Sequence, residues 1–132
     1  MKIERFIDEH GLTVTIRKTA TRPDFYDWPK GSRHFSAVLE TDLAAPLRVS
    51  YSQGPAIQTE PTAVDVLAAV ASDASCYMST CGLDDFAANY CPDCPPSRAV
   101  AAFEACKAAA DWLHIAFGEV GRGELIEWSA EQ

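Results

Sequence analysis

The chain has 132 residues and a mass of 14.4 kDa, enough for one domain. Area scaling lets such a chain bury roughly 14,000 Å² on folding, so a core is available without disulfides or metal. With 11 Lys and Arg against 19 Asp and Glu, the formal net charge is −8. That balance argues against direct nucleic-acid binding, which needs a basic surface.

In chain order, residues 3–10 read as a short helix with Ile3, Phe6 and Ile7 on one face and Gly11 as C-cap. Residues 12–17 alternate apolar and β-branched with polar side chains, the pattern of a strand with one buried face. Residues 21–31 hold Pro23, Pro29 and Gly31 and form a loop that carries Phe25, Tyr26 and Trp28. That aromatic loop either folds back over the open face of the sheet or anchors a partner. Residues 33–41 make a second strand, with Phe35, Ala37 and Leu39 on one face, and 47–51 a third. The short turn between them favours antiparallel pairing.

The remainder is helical. Thr62 and Asp65 form an N-cap and capping-box pair ahead of a helix to about Ser75, which buries Val66, Leu67, Val70 and Ala74. Residues 83–90 are a short helix with Leu83, Phe86 and Tyr90 inward. Pro92, Pro95 and Pro96 break the chain. Ser97 opens the longest helix, to about Phe117, with Ala99, Phe103, Cys106, Ala110, Leu113 and Phe117 on one stripe. Gly118, Gly121 and Gly123 punctuate its end, and 124–130 add a last turn or two. Trp112 and Ile115 fall off the stripe. Either the C-terminal segment with Leu125 and Trp128 covers them, or they form a contact patch. Strands first and helices after predict a single α+β domain over residues 1–132. It has a small three-stranded antiparallel sheet and a helical C-terminal half packed on one face.

Charge divides along the same line. Residues 1–58 hold eight basic and seven acidic side chains, a net of +1, and residues 59–132 hold three basic and twelve acidic, a net of −9. Such asymmetry is a cue for an electrostatic partner. No apolar run reaches the ~20 residues of a membrane span, and the N-terminus has no apolar signal-peptide core, so the expected location is the cytoplasm. There the five cysteines are expected as thiols.

Motifs for chemistry are sparse. Cys76, Cys81, Cys91 and Cys94 give C-x4-C-x9-C-x2-C, a set that four-thiolate zinc sites use, but the first pair is loose. Small buried or incidental thiols are the expected role, with no metal and no cofactor. His10, His34 and His114 fall in no metal spacing and are expected to be structural. There is no nucleophile elbow, P-loop or dinucleotide fingerprint. Asp84 and Asp85 are adjacent and point apart on a helix. The expectation is a protein that is not an enzyme.

The run Trp28-Pro29-Lys30-Gly31-Ser32-Arg33-His34-Phe35 leads to Tyr51-Ser52-Gln53-Gly54 and then to Pro61-Thr62-Ala63-Val64-Asp65-Val66-Leu67. Ala71-Ser72-Asp73-Ala74-Ser75, Phe86-Ala87-Ala88-Asn89-Tyr90 and Ala105-Cys106 follow. Over residues 12–117 this resembles small acidic proteins of phages and mobile elements, some of which are similar to type I anti-CRISPR proteins, in particular those acting on the type I-C system. The resemblance implies binding to a Cascade subunit with a groove for DNA and its flanking recognition motif, and a block on target-DNA binding. Carboxylates at helical spacing would then stand in for phosphates. The partner-binding candidates are Glu60, Asp65, Asp73, Asp84, Asp85, Asp93, Glu104 and Asp111. The alternative is a phage accessory protein that binds a host protein through an apolar patch around Trp112 and Trp128.

Overall fold

The structure, a computed structural model, describes residues 2–20, 28–90, 93 and 95–130. Three strands, β1 (Thr13–Thr19), β2 (Arg33–Thr41) and β3 (Ala44–Gln53), form an antiparallel meander in the order β1-β2-β3. Arg17 stands opposite Ser36 across β1 and β2, and Val38 opposite Arg48 across β2 and β3. An irregularity between Leu39 and Thr41 precedes the two-residue turn at Asp42 and Leu43. Period-two alternation sends Phe35, Ala37, Leu39 and Leu47 to the buried face, as their spacing predicts.

Among the described residues, helices cover that face only. They are α1 (Lys2–Glu9), α2 (Ala63–Met78), α3 (Leu83–Tyr90) and α4 (Pro96–Ala130). The fold is α+β. The capping box at Thr62 and Asp65 is present, and α2 runs past Ser75 to a C-cap at Ser79. α2 and α4 meet through Val70, Ala71, Ala74, Ala109, Ala110 and Leu113, whose small side chains permit close approach. α3 is seated separately, by Phe86 on Ala102, Phe103 and Cys106. Leu83 and Tyr90, which periodicity places inward, are 37% and 38% exposed. A two-turn helix docked through one buried aromatic has no room to bury both ends.

Gly118 breaks α4 with φ 68° and ψ −174°. Helix resumes at once rather than at residue 124. The redirected segment carries Leu125 and Trp128 back onto α1. Phe6 meets Phe117 edge-on at 4.8 Å and Trp128 at 6.3 Å. Trp112, in the same core cluster, meets Phe117 edge-on at 5.5 Å and donates its indole N–H to the Ala45 carbonyl at 2.8 Å. Of the two placements that the sequence allows for Trp112, the fold takes the covered one. Ile115 stays 67% exposed.

Only glycine tolerates the backbone conformation of residue 118. Nothing lies within 4 Å of where a Cβ would stand, so a side chain there meets strain and not a clash. Gly118→Ala is expected to lower stability by about 1–3 kcal/mol. Urea denaturation of the variant checks this, and an unchanged midpoint would show that the break does not depend on glycine.

Candidate functional site

The helical half holds all eight carboxylates singled out by sequence, and the fold gives them different tasks. Glu60 accepts from the Arg33 guanidinium at 3.1 Å. Arg33 also donates to Gln53 Oε1 at 2.7 Å and to the Thr59 carbonyl at 2.6 Å. It thereby clamps the link between β3 and α2. Asp65 is held in the capping box: it accepts from the Thr62 N–H at 2.9 Å, and its own N–H donates to Thr62 Oγ1 at 3.3 Å. Asp85 accepts from the Cys81 N–H at 3.1 Å and from the Asn89 amide at 3.1 Å, which fixes the entry to α3.

Asp73 differs again. It is half-buried at the α2–α4 seam, near Cys76 and Cys106. Burial pushes its carboxyl up to about 6. Burial, then the Asp73 carboxylate, then Cys76 push the Cys106 thiol up to about 12. Burial and Asp73 also raise Cys76. Thiols held protonated in this way are poor nucleophiles and poor metal ligands. The helical stripe of Val66, Val70 and Tyr77 passes through position 73. That spacing is the signal that Asp73 is not on the outer surface, where a plain charge count places it.

Asp84, Asp93, Glu104 and Asp111 are exposed, with no hydrogen bond or ion pair among the described residues. Glu104 and Asp111 lie seven residues apart on α4, with Lys107 exposed between them. The eight candidates therefore do not form one surface of equal acids. Four are exposed and without partners among the described residues, three hold local structure and one is half-buried.

The apolar alternative changes as well. Trp112 and Trp128 are 6% and 8% exposed, members of the core and not a surface patch. The histidines have structural surroundings: His10 packs on Phe6 and Phe117, His34 Nδ1 lies 2.8 Å from Ser52 Oγ, and His114 pairs with Glu119 at 3.1 Å. Of the four-cysteine set, Cys91 and Cys94 lie outside the described residues, as do Phe25 and Tyr26 of the aromatic loop. Among the described residues no three His, Cys, Asp or Glu side chains gather as metal ligands, and no helix is long and apolar enough to cross a membrane. No protein-family model, curated protein or solved structure matches the chain.

Proposed function

We propose that the protein is a non-enzymatic inhibitor whose acidic helical half occupies a DNA-binding groove on a protein partner in the host cytoplasm. The partner is the type I Cascade surveillance complex, as the resemblance over residues 12–117 implies. The observation that carries the reading is the set of four exposed carboxylates without partners among the described residues, Asp84, Asp93, Glu104 and Asp111. They sit in a half of the chain with only Arg98, Lys107 and Arg122 as cations, and Arg122 is paired to Glu119.

A groove built for DNA is lined with Lys and Arg because the duplex carries a charge about every 1.7 Å of its axis. Asp84 on α3 and Glu104 and Asp111 on α4 are held on helices and meet such a lining without the entropy loss of ordering a flexible acidic tail. Complementary potential speeds encounter and excludes the DNA strand by occupancy. The reaction is binding alone, with no bond made or broken and no cofactor used, and the protein does not bind duplex DNA. Salt tests the reading. Inhibition of Cascade–DNA binding should weaken steeply as ionic strength rises, because exposed charges are screened over ~8 Å at physiological salt. Salt-independent inhibition would place the contact on an apolar surface instead.

A further inference from the structure

The helical layer leaves one sheet face open among the described residues. Arg17 on β1, Ser36 on β2, and Arg48 and Ser50 on β3 are exposed there. Arg17, Ser36, Val38 and Arg48 line a shallow groove of about 570 Å³, with Glu40 also in its wall. The register sets Arg17 beside Ser36 and Arg48 beside Val38, so the two guanidinium groups flank the central strand diagonally. Two strand spacings and two residue steps separate their Cα atoms by about 12 Å. Neither arginine has an ion pair or hydrogen bond among the described residues. The next row of the same face is Thr19, His34 and Ser52, and the Trp28 ring stands edge-on to His34 at 6.5 Å.

We propose that this face holds a single strand of nucleic acid, with successive phosphates on Arg17 and Arg48 and a base against the His34–Trp28 pair. Guanidinium groups and the neighbouring hydroxyls of Thr15 and Ser36 all donate to phosphate oxygens. Aromatic rings beside a basic row, with bases stacked on the ring faces, are the means by which sheet surfaces hold single strands. An acidic peptide would need an apolar bed for its other side chains, and Val38 and Pro46, among five polar or charged lining residues, do not supply one. A duplex needs an element that enters a groove, and this face is flat.

The net charge of −8 argues against nucleic acid only at long range. The exposed carboxylates Asp84, Glu104 and Asp111 are carried by α3 and α4 and not by the strands of this face. The charged side chains that line the groove itself are Arg17, Arg48 and Glu40, a local net of +1, and more distant charges are screened over ~8 Å at physiological salt. The proposal goes beyond the inhibitor reading and does not depend on it.

Fluorescence anisotropy of the free protein with a labelled oligouridine tests it without any Cascade present. Two phosphate contacts give a salt slope of about −1.4 on logarithmic axes, so a tenfold rise in salt should weaken binding about 25-fold. The R17S/R48S double variant, changed only at exposed positions, should bind at least tenfold more weakly with an unaltered circular dichroism spectrum. Absence of binding at low salt, equal binding by the double variant, or a flat salt dependence would overturn the proposal. So would tighter binding of a duplex of the same length, or equal binding of an oligoglutamate.

Discussion

Replacing Asp73 by asparagine is expected to stabilise the protein at neutral pH and to leave it unchanged in acid. The carboxyl is half-buried at the α2–α4 seam, and burial pushes it up to about 6 from an ordinary value of 3.8. A raised acid favours its protonated form in the fold. Its stability contribution is therefore complete below about pH 4 and is lost as pH rises through about 6. A tenfold change in proton affinity corresponds to about 1.4 kcal/mol, which bounds the loss at ~3 kcal/mol, and the partial solvent contact of Asp73 lowers it to about 1–2 kcal/mol. Asparagine is neutral at every pH and escapes the loss. The difference in unfolding free energy between Asp73→Asn and the parent should thus open between pH 4 and pH 7. Urea titrations at both ends check it. A variant less stable than its parent at pH 7, or a gap that ignores pH, would show that the Asp73 carboxylate has a favourable partner in the fold.

Truncating Phe6 to alanine is expected to cost about 3–5 kcal/mol, the range for removing a fully buried aromatic. Phe6 is 1% exposed and touches the rings of His10, Phe117 and Trp128. It joins the first helix to the segment beyond the Gly118 break. Loss of that contact should loosen α1 and the C-terminal turns before the sheet. Amide hydrogen exchange in Phe6→Ala reads this directly, with protection falling first at residues 2–10 and 119–130. Uniform loss of protection would show that the aromatic nest and the sheet unfold as one unit.

The three strands, the capping box and the α4 stripe follow from local rules, because alternation, a Thr-x-x-Asp pair and 3.6-residue spacing are each read within a few residues. Three features needed the tertiary structure. Leu83 and Tyr90 look buried by periodicity, but among the described residues α3 docks through Phe86 and leaves both ends part-exposed. The sequence leaves open where the segment with Leu125 and Trp128 lies, and the choice is made by a glycine in an uncommon backbone region that turns the helix back onto Phe6. The acid count treats every carboxylate of the helical half as a surface charge. Local sequence names one exception, Asp65 in its cap, whereas Asp73, expected outside the apolar stripes, shares the helical spacing of the buried Val66 and Val70. The partners of Glu60 and Asp85 are less legible: Arg33 is 27 positions away from Glu60, and Asp85 serves an N–H outside its own helix.

The most direct measurement of the central claim reverses exposed acids and spares the structural ones. In D84K/E104K/D111K, three exposed carboxylates become ammonium groups, while Asp65, Asp73, Asp85 and Glu60 keep their places. The reference is E4K/D8K/E9K on the N-terminal helix, where the chain is near neutral. Single exposed pairs contribute about 0.2–1 kcal/mol, and pairs desolvated at an interface contribute more. Three reversals together should therefore abolish inhibition of Cascade–DNA binding, while the α1 variant inhibits almost as the parent does. Circular dichroism should show both variants folded. Equal potency of the two folded triple variants would contradict the acidic-surface account.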